Sequence, residues 1–207
     1  LFQFGQIAKQ ETAMKTTTAL LPLIAIMIIF AGGCMFAPYH PTNMYDLQTT
    51  VIDPLPGTLI GVNEFENKSG AGTKMRLRVD GCRIVDAGYN KWVEAPGALF
   101  GRCLGNSFNI PLGDKGSIKY TVSGELTVFE ADKKANQFTV RGEYTVRGPN
   151  GSLSREFAVS AKYQNDSPGE YAVAASNATA RVAAMIESDV EILHGKAKVK
   201  KKKSDKE

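Results

Sequence analysis

Between Ile118 and Tyr163 three runs of alternating apolar residues are separated by two polar turns, and this pattern most narrows the folds open to the chain. Ile118, Tyr120, Val122, Leu126 and Val128 make the first run, and Ala131 to Asn136 turns the chain. Phe138, Val140, Tyr144 and Val146 make the second, and Gly148-Pro149-Asn150-Gly151 reverses the chain again. Leu153, Phe157, Val159, Ala161 and Tyr163 make the third. Period-two alternation with tight turns predicts an antiparallel three-strand meander, apolar on one face and wet on the other.

That apolar face needs a cover, and the next segment supplies one. Ser167-Pro168-Gly169-Glu170 reads as a capping box with proline in the first helical turn. A long helix is expected from Tyr171 to about Leu193, with Ala175, Ala178, Val182, Met185 and Ile186 on one stripe. Gly195 is the expected C-terminal stop. Earlier in the chain, Thr58 to Phe65 and Lys74 to Val79 read as strands, with Gly81 to Val85 continuing the second after a kink. Tyr89 to Pro96 reads as a turn and an extended piece. A second helix is expected from Pro96 to about Asn109, presenting Leu99, Phe100, Cys103, Leu104 and Phe108. Its glycines, Gly97, Gly101 and Gly105, each weaken a helix by about 1 kcal/mol relative to alanine. Spaced four apart, they also offer close approach to a neighbouring element. The order of elements implies an α+β fold, a largely antiparallel sheet with the meander and two helices packed on one face.

Upstream, Met14 to Cys34 (MKTTTALLPLIAIMIIFAGGC) has the layout of a secretory signal. A lysine comes first, an apolar run holds Pro22, and small residues lead to a cysteine. The run falls short of the roughly 20 apolar residues of a comfortable membrane span. Ala31-Gly32-Gly33-Cys34 resembles a bacterial lipobox, in which the chain is cut between Gly33 and Cys34 and the thiol carries the lipid. The alternatives are an uncleaved anchor or a plain signal peptide in which Cys34 is incidental.

The expected organisation follows. Residues 1–13 are an upstream extension outside the fold and 14–33 the signal peptide. Residues 34–56 form a proline-rich lipidated tether in which Tyr45-Asp46-Leu47 could pair as an edge strand. Residues 57–194 form the α+β domain, and 195–207 a disordered lysine-rich tail. That tail holds seven lysines against Asp205 and Glu207, so the overall charge of +4 leaves −1 for the rest of the chain. The body is near neutral, which argues against a nucleic-acid-binding face.

Catalytic signals are sparse. The two histidines, His40 and His194, sit in the tether and at a helix end. No nucleophile elbow and no zinc-spaced cysteine or histidine pair appears, so no catalytic residue, metal or cofactor is assigned. Ser69 to Lys74 is a faint match to a phosphate cradle and reads better as a loop between strands. Glu125 and Glu143, like the Lys74/Arg76/Arg78 row, read as solvated strand faces. With Cys34 assigned to lipid, Cys82 and Cys103 could form a disulfide or remain as two buried free thiols. Trp92 reads either as a core aromatic or, with Tyr89 and Pro96, as a partner interface.

The order of motifs resembles the ABC-type transport auxiliary lipoproteins, the type found with paraquat-inducible and other MCE-type lipid transport systems. The residues that carry the likeness are the lipobox cysteine, Tyr45-Asp46-Leu47, Ile60 to Val62, Tyr89, Trp92 and Pro96, then the meander and terminal helix. The chain departs from that pattern at Asn63 to Thr73, which is polar and glycine-rich. The resemblance implies a non-enzymatic subunit held by lipid, at the outer membrane and facing the periplasm. It would dock on MCE/ABC transporter subunits, with homo-oligomerisation open. Phe65 to Gly70 also resembles a string in curli-secretion and peptidoglycan-synthase-activator lipoproteins, the alternative class.

Overall fold

The computed structural model describes residues 39–52, 58–108 and 118–204. The expected signal segment, its expected cleavage point after Gly33 and the lipidation candidate Cys34 lie outside the described residues. By internal contacts the chain divides into Leu1–Pro41 and Thr42–Glu207, and the second unit holds every element named below.

In chain order the elements are β1 (Asn43–Tyr45), β2 (Ile60–Asn67), β3 (Lys74–Asp80), β4 (Arg83–Trp92), α1 (Pro96–Ser107), β5 (Tyr120–Asp132), β6 (Gln137–Gly148), β7 (Gly151–Lys162) and α2 (Pro168–Ser204). The strands join in one seven-stranded sheet, with β1, β4, β3, β5, β6 and β7 in spatial order and β2 beside β5. β5 is long enough to serve two neighbours on one side. Its first half pairs in parallel with β2 and its last residues pair in parallel with β3. The remaining long pairings, β3–β4, β5–β6 and β6–β7, are antiparallel. The meander and the α+β class match the expectation from sequence.

Three local differences have clear causes. Residues 83–92 form a separate strand antiparallel to β3, because Gly81 and Cys82 turn the chain instead of kinking it. Its alternation is hidden by an irregularity between Asp86 and Lys91, where Gly88 takes φ +57°. α2 also runs through Gly195 to Ser204. That glycine does not adopt the left-handed conformation of a C-cap. The lysines and alanine around it favour helix, and one internal glycine costs only about 1 kcal/mol. The capping box forms in part. The Glu170 N–H donates to Ser167 Oγ (3.4 Å), while the Glu170 carboxylate accepts from the Gln164 N–H (3.2 Å).

Both helices lie on the apolar face. α1 buries Leu99, Phe100, Cys103 and Leu104, and α2 buries Ala175, Ala178, Val182, Ile186 and Val190. The four-residue glycine spacing does bring α1 close to a neighbour. A Cβ on Gly101 would lie 3.4 Å from the Asn63 carbonyl, and one on Gly97 would strike the Phe65 carbonyl. Phe65 meets Phe100 edge-on with ring centroids 5.1 Å apart, and Phe100 stacks on Phe157 at 5.8 Å. At the far end of the core, Trp92 meets Phe129 and Phe138 edge-on at 5.2 and 5.9 Å.

Candidate functional site

The structure separates the three residues proposed as a partner interface. Trp92 is fully buried among Phe129 and Phe138, and Pro96 is buried at the start of α1. Trp92 is therefore a core residue, and its reading as an interface is corrected. Strand alternation explains this, because Trp92 lies two positions from the half-buried Asn90 and turns inward beside Tyr45. Only Tyr89 stays at the surface, 52% exposed.

The disulfide left open by the sequence is not formed. Cys82 is exposed in the β3–β4 turn and Cys103 is buried in α1, and both thiols are free. Burial pushes the Cys103 thiol above its ordinary pKa, and Thr49 Oγ1 lies 3.9 Å from its sulfur.

The polar loop after β2 is satisfied from within. Asn67 Nδ2 donates to the Ala71 carbonyl at 2.7 Å, and Asn67 Oδ1 accepts from Ser69 Oγ at 2.7 Å and from the Ser69 N–H at 3.2 Å. The Ala71 N–H in turn donates to Ser69 Oγ at 3.3 Å. A phosphate cradle needs such N–H groups pointing outward, so this loop is a folding device. It also gives the Phe65 to Gly70 string a structural reason.

The outward face of the sheet carries the charges. Arg76 donates to the Ser69 carbonyl, and Arg78 pairs with the nearly buried Glu130 at 2.5 Å, which raises the arginine's pKa first through that hydrogen bond. On the meander side, Glu66, Glu125, Glu143 and Glu156 stand opposite one another across β2, β5, β6 and β7. Glu125, Glu143 and Glu156 border an open groove of about 510 Å³ with Thr127 and Arg141. No group of ligating side chains among the described residues could hold a metal ion.

At the other end of the sheet, β1 and β4 form an edge of which the sequence points to Tyr89 and to a strand at Tyr45-Asp46-Leu47, two residues later than the observed Asn43–Tyr45. Register places Met44 opposite Lys91, and Lys91 opposite Lys74 on β3. Lys74, Arg76 and Lys91 line an open groove of about 450 Å³, with Asp86 as its one carboxylate. Met44, paired with Lys91, and Tyr89, two residues before Lys91 on β4, are 53% and 52% exposed. Met44 escaped notice because a three-residue strand has no periodicity to detect.

Among the described residues, no helix is long and apolar enough to cross a membrane. No family model matches the chain, and no curated protein was found similar to it. Solved structures do share the fold. One is the crystal structure of an uncharacterised protein, 18% identical with a TM-score of 0.59, covering 73% of this chain and 99% of its own. Another is protein XCC0632 from Xanthomonas campestris, of family model DUF330, 14% identical with a TM-score of 0.60. That match covers 75% of this chain and 99% of the other.

Proposed function

We propose that this chain is a lipid-anchored, non-enzymatic subunit of the bacterial cell envelope. It docks on an ABC/MCE-type lipid transport assembly from the periplasmic side of the outer membrane. The observation that carries the reading is the run ending in Ala31-Gly32-Gly33-Cys34, placed directly before a folded α+β domain. The motif order that resembles the transport auxiliary lipoproteins adds the partner class. The fold is compatible, with a mixed sheet covered by two helices on one face. The alternative, a curli-secretion or synthase-activator lipoprotein, rests on the Phe65 to Gly70 string alone.

The test compares wild type with Cys34→Ala in the source bacterium, using an alkyne fatty acid label and resistance to membrane stress. Wild type should take up label, fractionate with membranes, and co-purify with an MCE protein or permease. Cys34→Ala should lose label and resistance together. Full resistance from the unlipidated periplasmic form would overturn the reading.

A further inference from the structure

Of the eight large apolar side chains exposed among the described residues, four (Met44, Val85, Tyr89 and Val93) fall on β1, β4 or the residue after β4, while Tyr39 and Val51 lie outside the strands and Val173 and Ile192 on α2. The edge strand β7 has none. Lys74 and Lys91 stand directly opposite each other beside Met44, although like charges so placed destabilise a sheet. Asp86 offsets one of them through its 2.9 Å contact with Lys74 Nζ. An anion in the groove between Lys74, Arg76 and Lys91 would offset the rest. A cationic groove flanked by a methionine and a tyrosine suits a phospholipid headgroup, with the phosphate on the cations and the amphipathic side chains in the interface.

Charge and chain connectivity point to one occupant, the phospholipid layer. Nine residues lead from Cys34 to the start of β1, a reach of at most about 30 Å when fully extended. β7 lies five strand positions from β1 in the sheet order, about 24 Å farther away. The tether joins the sheet at β1, so along the chain the β1–β4 edge is the part of the sheet closest to Cys34. We propose that this edge is the membrane-facing surface of the domain. Lys74, Arg76 and Lys91 take the phosphates of the phospholipid layer, and Met44 and Tyr89 rest in the headgroup region. The proposal rests on lipidation of Cys34.

The experiment uses the full chain purified from membranes and reconstituted in vesicles of phosphatidylglycerol and phosphatidylethanolamine carrying a nitroxide headgroup quencher. In a Cys82→Ser background, an environment-sensitive dye is placed at Met44→Cys, at Tyr89→Cys or, as the distant control, at Ser154→Cys. Mass spectrometry of the N-terminal peptide reports acylation of Cys34 in the same samples. The expected result is at least threefold stronger quenching at positions 44 and 89 than at 154. Adding Lys74→Glu and Lys91→Glu should remove most of that difference while Cys34 stays acylated. Equal quenching at all three positions in acylated protein overturns the proposal and leaves this edge to a protein partner. An unacylated Cys34 overturns the anchoring reading itself, and the proposal falls with it.

Discussion

A Cβ added to Gly97 of α1 would stand 2.4 Å from the carbonyl oxygen of Phe65 on β2. The helix therefore lies against that strand at a distance only glycine allows, and Phe100 can reach Phe65 and Phe157 together. Gly97→Ala should destabilise the domain by about 1–3 kcal/mol, the usual cost of forcing atoms into a packed contact, despite a helix-propensity gain of about 1 kcal/mol. Gly105→Ala is the control, because its Cβ would meet only Val62 at an ordinary 3.8 Å. That variant should gain up to about 1 kcal/mol. Urea melts of the two variants would check the pair, and equal stability would show that α1 slides freely on β2.

Legibility in the sequence follows the length of each element's period. The meander was readable because β5, β6 and β7 each run through twelve or more residues, with inward side chains such as Val122, Val140 and Phe157 in step. β4 was not, because the irregularity around Gly88 breaks the alternation before Trp92. The proposed lipid anchor is legible only in sequence, since Cys34 lies outside the described residues. The cationic groove is legible only in structure, since Lys74 and Lys91 meet through pairing of strands that the sequence does not announce. Asp189 could have been found. It falls seven residues after Val182 and three after Ile186, so it continues the buried stripe of α2.

That buried aspartate is held by two partners. Tyr144 Oη donates to Asp189 Oδ2 at 2.7 Å, and Arg155 Nη2 donates to Asp189 Oδ1 at 2.6 Å. Burial, then the bond to Asp189, raises the Tyr144 phenol well above its ordinary pKa. Removing Arg155 with Arg155→Ala leaves a fully buried carboxylate without its cation; because Arg155 is itself 43% exposed, the cost should fall at or below the lower end of about 3–5 kcal/mol. Tyr144→Phe keeps the cation and should cost about 1–3 kcal/mol. Arg155→Met combined with Asp189→Leu should recover much of the first loss, because an apolar pair of similar volume can replace an ion pair whose carboxylate is buried. Chemical denaturation of the set checks the order. A double variant as unstable as Arg155→Ala would show that the pair does more than neutralise itself.

The two thiols should report their surroundings to a reagent. Cys82 is exposed in a turn, and Cys103 is buried with its pKa raised by burial. Reaction goes through the thiolate, so native Cys103 is slow on two counts. Iodoacetamide at pH 8 followed by peptide mapping should show Cys82 modified within minutes and Cys103 only after denaturant is added. Equal rates in the native protein would mean that α1 opens readily.

The last prediction concerns acid. Asp166, in the loop before α2, accepts hydrogen bonds from Tyr171 Oη and, at 2.9 Å, from Lys133 Nζ. These hold its carboxyl below the ordinary value, the tyrosine bond first and the lysine bond second. Tyr163, packed edge-on to Tyr171, is itself pushed up to about 12, chiefly by burial. A carboxylate whose folded pKa is depressed adds stability above its unfolded value of about 3.9, and that stability is lost as pH falls through the folded pKa. The aspartate is more than half exposed, so solvent screening keeps the contribution modest. Asp166→Asn should therefore lower stability at pH 6–7 and flatten its decline below about pH 4. Tyr171→Phe should do the same to a lesser degree, because Lys133 still holds the carboxylate. Thermal melts from pH 2.5 to 7 would check both, and parallel curves for wild type and Asp166→Asn would show that this contact does not tie the start of α2 to the β5–β6 turn.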